Sequence, residues 1–164
     1  MNDKDFYIDR WSVELPITLT IMNAMADAEL GYQPDPKCPT ARSIVGHLLG
    51  YVEDMNELLT GEGATHHRAE LPFRNVADAV EQMKRAGTMV ASRLGGIQES
   101  AWKNKNNRFL LNGHTCFDAP VGSTAWLLLF DTIHYRDQLS SYIRQMGGNP
   151  PKIYGAGLDS AGLR

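Results

Sequence analysis

Apolar residues recur three and four positions apart in four stretches of the chain, the spacing that places them on one face of an α-helix. The first stretch covers about residues 5–30 and contains Pro16, which predicts that this helix kinks there or begins near it. The second follows Thr40, a good helix-capping residue, and reaches Gly61. Between them, residues 31–39 hold three prolines and predict a stiff, extended connector.

The other two helical patterns lie in the second half of the chain. One covers residues 76–96 and follows Asn75, which is suited to cap it. The last begins near Pro120 or Val121 and ends at about Met146, before two glycines. We therefore predict an all-α fold of four long helices.

The predicted connections differ in length and character. Residues 62–74 are polar and aperiodic, which predicts a loop, and residues 152–164 are expected to form an irregular tail. Residues 97–120 make a long connection before the last helix that includes the turn signal Asn112-Gly113. A connection of this length is often functional or contains a short element of its own.

Length and charge narrow the class of protein. A chain of 164 residues with 43% hydrophobic residues buries a substantial core but is short for two domains, so we expect residues 1–164 to form one domain. The net charge of −3, with interspersed acids and bases, argues against nucleic acid as a ligand. A charged N-terminus and a longest apolar run of only residues 125–130 predict a cytoplasmic protein that does not enter membranes.

Polar residues on the apolar faces of the second and last helices are the candidates for chemistry. His47 lies on the second helix, while Asp131 and His134 stand three apart on the last, with Gln138 one turn later. Two imidazoles and a carboxylate suit a divalent ion such as zinc, nickel or iron. The alternative is that Asp131 holds the neighbouring Arg136 or a tyrosine, and that both histidines are hydrogen-bonded core residues.

Other reactive side chains give weaker signals. His66 and His67 are adjacent in a loop-like segment, which favours exposed side chains over a metal site. Cys38 and Cys116 are far apart and outside any CxxC motif, and nothing in the sequence places a base beside the Cys116 thiol. No phosphate-binding loop or nucleophile elbow is present, so nucleotide-binding and acyl-transfer classes have no local support.

Two segments resemble a known family. The sequence SIVGHL at residues 43–48 and above all FDTIHYRDQLSSYIR at residues 130–144 resemble the DinB-like (YfiT-like) metalloenzyme superfamily, and MGGNPPKIYG at residues 146–155 strengthens the resemblance. The similarity extends in helix order over nearly the whole chain. It implies a four-helix bundle, often a homodimer, with nickel or zinc held between three histidines. It also implies a thiol S-transferase or hydrolase that acts on a small molecule.

The chain departs from that family's ligand pattern at two positions. One ligand of the pattern matches His47, and two that lie four apart on the last helix match Asp131 and Tyr135. A carboxylate still binds zinc or nickel, but a neutral tyrosine, with an ordinary pKa of about 10, is a poor donor. His134 is then expected to substitute, which gives His47, Asp131 and His134 as metal ligands. The pocket residues expected beside them are Tyr51, Tyr135 and Gln138.

Three functional hypotheses remain open at this point. In the first, the metal acts as a Lewis acid that holds a thiolate or water against a small electrophilic substrate. In the second, the metal has been lost and the chain is a non-catalytic binding or stress-response bundle whose pocket holds a small molecule or thiol. In the third, the helix faces and the tail serve mainly for assembly into a dimer.

Overall fold

The structure, a computed structural model, describes residues 1–61, 63–66 and 71–154. Its helices are α1 (Asp3–Asn23), α2 (Ala41–Leu58), α3 (Val76–Gly96), α4 (Glu99–Asn104) and α5 (Val121–Gln145), with a short 3-10 helix at Asp27–Gly31. Its strands are β1 (Ala64–Thr65), β2 (Asn106–Leu111) and β3 (His114–Pro120). None of these helices combines the length and hydropathy that a membrane span requires.

The four long helices form a bundle in which α1 and α2 each pack against both α3 and α5. The consecutive helices α1 and α2 therefore lie diagonally across the bundle, which is why the connector between them is long. Apolar side chains from all four helices fill the centre. They include Trp11, Ile21, Leu48, Val52, Met83, Val90, Leu128 and Leu139.

The predicted caps of α2 and α3 are confirmed. The Thr40 hydroxyl oxygen accepts a hydrogen bond from the Ser43 N–H at 3.1 Å, and the Asn75 side chain accepts one from the Asp78 N–H at 2.8 Å. Each bond satisfies an N–H that the first turn of a helix leaves without a backbone partner, and such a cap contributes about 1 kcal/mol. The starts of these helices could be predicted from the sequence because each cap joins residues only three apart.

The first helix differs from its prediction. It ends at Asn23 and the chain then forms the 3-10 helix, whereas the spacing predicted one helix to residue 30. Pro16 lies inside α1 and does not interrupt it. Proline removes one helical hydrogen bond, but α1 packs against α3 and α5, and tertiary packing rather than local propensity supplies most of a helix's stability.

The predicted all-α class needs correction, because a three-stranded sheet with the order β1-β2-β3 covers part of the bundle. Residues 97–120, predicted as a long connection, contain α4 and the antiparallel hairpin of β2 and β3. Asn112 and Gly113 join these strands with positive φ angles of 52° and 78°, as a two-residue hairpin turn requires. The strands are too short to carry a long periodic pattern, so the turn was their clearest signal.

The remaining predicted segments have mixed outcomes. The last long helix is confirmed as α5. Of the predicted irregular tail, residues 152–154 are in neither helix nor strand, and residues 155–164 lie outside the described residues.

Candidate functional site

The candidate site is a cavity of about 250 Å³ where α2, α5 and the sheet meet. Most of its wall is apolar, from leucine and phenylalanine side chains of α5 and the hairpin. Four of its lining residues carry functional groups. They are Tyr51 of α2, His66 just after β1, Cys116 of β3 and Asp131 of α5.

The backbone of His66 is fixed by the sheet. Strand β1 pairs in parallel with β2, with Thr65 opposite Leu110, and the His66 N–H donates to the Leu110 carbonyl oxygen at 2.7 Å. The Thr65 N–H donates to the Glu57 carboxylate at 2.9 Å. The prediction of an exposed loop histidine is therefore wrong for His66, while His67 lies outside the described residues. Pairing with a strand more than forty residues away was invisible in the local pattern.

The imidazole of His66 is held by a buried carboxylate. Asp54 lies on α2 with its side chain fully buried, and its Oδ2 is 2.6 Å from Nδ1 of His66. When Nδ1 carries the proton that Asp54 accepts, the lone pair of a neutral imidazole is on Nε2. Nε2 is then the nitrogen that a ligand in the cavity can reach. This arrangement of carboxylate and imidazole is suited to general acid–base catalysis.

Two aromatic rings contact the imidazole of His66. The Tyr51 ring stacks on the His66 ring with centroids 5.3 Å apart, and the Phe109 ring lies 5.7 Å away. The row continues from Phe109 to Phe117 at 5.4 Å. With its orientation limited by these rings and its Nδ1 bonded to Asp54, the His66 side chain is preorganised.

Tyr51 and Tyr135, two predicted pocket residues, lie together beside this row. Their ring centroids are 5.6 Å apart. Burial, with the neighbouring Asp131 carboxylate as the next cause, raises the pKa of Tyr51 far above its ordinary value. Tyr51 is therefore a neutral hydrogen-bonding phenol at any physiological pH.

Asp131, predicted as a metal ligand, lies at the exposed edge of the cavity. Partial burial raises the pKa of its carboxyl, while the neighbouring His134 and His66 oppose that shift. Among the described residues, no hydrogen bond or ion pair is formed to its carboxylate. It is a charge without a fixed counter-ion.

The three predicted metal ligands are not gathered at one point. His134 is exposed and lines a different cavity of about 980 Å³, together with the segment after α5. The Tyr135 ring contacts both histidines, with centroid distances of 5.0 Å to His47 and 5.2 Å to His134. Within the described ranges, no group of three or more His, Cys, Asp or Glu residues is placed to hold a metal ion. The donor set as it stands does not fit a divalent cation, and metal binding by this trio stays a prediction.

Two other predicted roles have different outcomes. Arg136 does not hold Asp131, as the alternative proposed: it is buried in an ion pair with Glu14 of α1. Gln138 does not line the cavity of His66, and its amide donates to the Tyr142 hydroxyl at 3.4 Å.

Sequence reasoning missed Asp54 and undervalued His66. Asp54 follows His47 and Tyr51 at helical spacing, on the apolar face of α2, where a carboxylate must find a partner. This was the available signal. The identity of the partner was not readable, because it depends on β1 pairing with β2.

Comparisons with known proteins bear on the fold. No family model and no curated protein sequence matches the chain significantly. A DinB-like protein from Bacillus cereus matches with a TM-score of 0.74 and 16% identity, over 90% of this chain and 95% of that one. The DinB-like protein YjoA from Bacillus subtilis matches with a TM-score of 0.69 and 14% identity, over 92% and 99% of the two chains.

A third structure adds a functional description of a neighbour. YfiT from Bacillus subtilis, described as a probable metal-dependent hydrolase with an unusual four-helix bundle topology, matches with a TM-score of 0.68 and 14% identity, over 89% of each chain. Identities this low show the fold alone. They confirm the DinB-like bundle that the sequence resemblance implied.

Proposed function

We propose that this chain, a bundle with the DinB-like fold, is an enzyme that hydrolyses a small molecule or transfers a thiol to it, with His66 as the general base. The observation that carries the proposal is the pairing of His66 with the buried Asp54 at the wall of a cavity. The description of YfiT as a probable metal-dependent hydrolase supports hydrolysis as the reaction class by analogy of fold, and the role of His66 rests on the geometry of this chain.

The proposed reaction needs one proton acceptor and one proton donor. As water attacks an electrophilic carbon of the substrate, Nε2 of His66 takes the proton that the water loses. Asp54 stabilises the imidazolium that forms, because its carboxylate bonds Nδ1. The imidazolium then returns the proton to the leaving group as the bond to carbon breaks, so the net reaction adds one water. A thiol in place of water would give transfer by the same steps.

Two further side chains support this role without touching the transferred proton. Tyr51 is a positioning residue, because its ring packs on the imidazole and limits its rotation. Asp54 carries the charge that makes the imidazolium favourable, and its full burial strengthens that interaction.

A non-catalytic binding protein is the second candidate. It is favoured by Tyr135, which is a poor neutral metal donor at a ligand position of the family pattern. Its ring centroid lies 5.0 Å from that of His47, which matches another ligand position of that pattern. Three features expected from the sequence remain proposals. They are a homodimer, a stress-response role, and nickel or zinc bound at His47, Asp131 and His134.

The test compares two histidines in one assay. Wild type, His66→Gln and His134→Gln are assayed with and without EDTA against a panel of small chromogenic esters and amides and thiol-conjugation substrates. His134 is the matched control, because it is exposed on α5 and lines another cavity. We expect His66→Gln to lower kcat/KM by a factor of about 10²–10⁴ and His134→Gln to leave it nearly unchanged.

Three results would oppose the proposal. Activity that survives in His66→Gln would remove His66 as the base. Activity that EDTA or His134→Gln abolishes would favour the metal trio, and metal analysis of the untreated protein would then follow. A wild type that binds but turns over no substrate would favour the binding protein. Circular dichroism and thermal melting of each variant show that the comparison is between folded proteins.

A further inference from the structure

We propose that the cavity beside His66 selects a small molecule with a protonated amine on an apolar body, and that Asp131 pairs with the amine. This inference rests on the proposed function, because it names the substrate class for the same site.

The described wall of the cavity carries negative charge and no fixed positive charge. Asp131 lines it directly, Asp54 lies behind His66, and no lysine or arginine is among its described lining residues. The nearest basic residue along β2, Arg108, lines a separate cavity with Glu57. A carboxylate or phosphate ligand would meet Asp131 with no counter-charge from the described lining residues, whereas a cation would be attracted.

Asp131 itself has no counter-ion among the residues that the structure describes. Its carboxylate lines the cavity and has no hydrogen bond or ion pair with another described residue. An ammonium group would supply both a charge and N–H donors. Charge-assisted hydrogen bonds of this kind are shorter and about twice as strong as neutral ones.

The rest of the wall suits an apolar body and also favours a cation. Tyr51 and Asp131 line the same small cavity, so an ammonium paired with Asp131 would lie near this ring. Cations within about 6 Å of an aromatic centroid are attracted by the ring. The side chains of Phe109, Phe117 and Leu128 then offer apolar contact to the remainder of the ligand.

The size of the cavity limits the ligand. Its volume of about 250 Å³ lies below the range of roughly 300–1,000 Å³ that is typical of sites for drug-sized molecules. A single ring with a short amine fits this description. An amine fixed at Asp131 would leave the apolar part of the molecule facing His66, which lines the same cavity.

The experiment uses three ligands of one shape and different charge. Binding of benzylamine, benzyl alcohol and benzoate is measured by isothermal titration calorimetry on the full chain in EDTA. We expect benzylamine to bind most tightly, and Asp131→Asn to weaken it about tenfold or more. Asp137→Asn is the matched control, since Asp137 is exposed on the same helix and lines the other cavity.

The outcomes separate this inference from the proposed function. Equal or tighter binding of benzoate or benzyl alcohol, or unchanged benzylamine binding in Asp131→Asn, would overturn the amine preference. His66→Gln should lose turnover of a substrate found with wild type, and it should still prefer benzylamine to benzoate because Asp131 is unchanged. If His66→Gln loses turnover but the wild type shows no preference for the amine, the proposal of His66 as general base stands. Only the proposed substrate class is then overturned. Melting curves of Asp131→Asn establish that it is folded.

Discussion

Two buried carboxylates in this protein have partners of different chemistry. Glu14 of α1 forms an ion pair with Arg136 of α5, and both are almost fully buried. Asp54 of α2 is equally buried but bonds the imidazole of His66. An arginine keeps its proton at any physiological pH, whereas a histidine can release its proton and take it back. The first pair is suited to holding helices together and the second to moving a proton.

The surroundings of the two pairs strengthen this contrast. The Tyr154 hydroxyl donates to the Glu14 carboxylate at 2.6 Å and accepts from Arg136 at 2.9 Å, so the Glu14 pair also ties down the segment after α5. His66 has one ring nitrogen bonded to Asp54 and lines a cavity with the other available. Chemistry depends on a polar atom that remains accessible, and burial of a charge alone does not supply one.

The largest effect on stability is expected from breaking the Glu14 pair. Glu14→Ala leaves the Arg136 guanidinium buried without its counter-charge, and we expect a loss of about 3–5 kcal/mol in the free energy of unfolding. Urea titration measures it. Glu81→Ala, at an exposed position of α3, is the control and should change stability by less than about 0.5 kcal/mol.

A double variant sharpens this prediction. Replacing both partners, as Glu14→Leu with Arg136→Met, removes both buried charges and should recover much of the loss. Arg136 also has a buried Nε without a hydrogen-bond partner among the described residues, a cost that the double variant removes. A single variant that loses under 1 kcal/mol would contradict a structural role for the pair.

Breaking the Asp54–His66 pair should cost less stability than breaking the Glu14–Arg136 pair, but it should cost more function. Asp54→Asn keeps the shape of the side chain but removes the charge, and we expect it to cost about 1–2 kcal/mol. Turnover of a substrate found with wild type should nevertheless fall severely, because the imidazolium is no longer stabilised. Unchanged turnover in a folded Asp54→Asn protein would remove the proposed base.

The smallest effect is expected at Tyr154 and depends on pH. Tyr154→Phe removes the hydroxyl that bonds Glu14 and Arg136, which should cost about 1 kcal/mol at neutral pH. Burial and the hydrogen bond to Glu14 raise the pKa of Tyr154 above its ordinary value of 10.0. The folded protein therefore holds this proton more tightly than the unfolded chain, and the stability it contributes is full below pH 10 and lost as pH rises through the raised pKa. The difference between wild type and Tyr154→Phe in urea titrations should shrink accordingly; a constant difference would contradict this role.

Local signals in the sequence predicted most of the bundle. Thr40 and Asn75 marked the starts of two helices because a cap involves residues only three apart. The last helix was also clear, because its apolar spacing repeats over 25 residues. The hairpin was missed although Asn112 and Gly113 mark its turn, because its strands have only six and seven residues.

The site was harder to predict because its contacts join distant parts of the chain. Tyr51 and Asp131 were named from the sequence and do line the cavity. His66 was interpreted as exposed because the loop around it has no pattern, yet β1 pairs with β2 and brings its ring to Asp54. Arg136 and Glu14 are separated by more than 120 residues, and no spacing rule connects them.

The central claim, that Asp54 holds His66 with Nε2 available as a base, can be tested without knowing the substrate. Nitrogen-15 NMR of the imidazole reports directly which ring nitrogen carries the proton, and the spectrum of His66→Gln assigns the signal. For neutral His66 we predict a protonated Nδ1 and an unprotonated Nε2, with this preference weakened in Asp54→Asn. A neutral imidazole with its proton on Nε2 would contradict the claim, because the nitrogen available to the cavity could not then accept a proton.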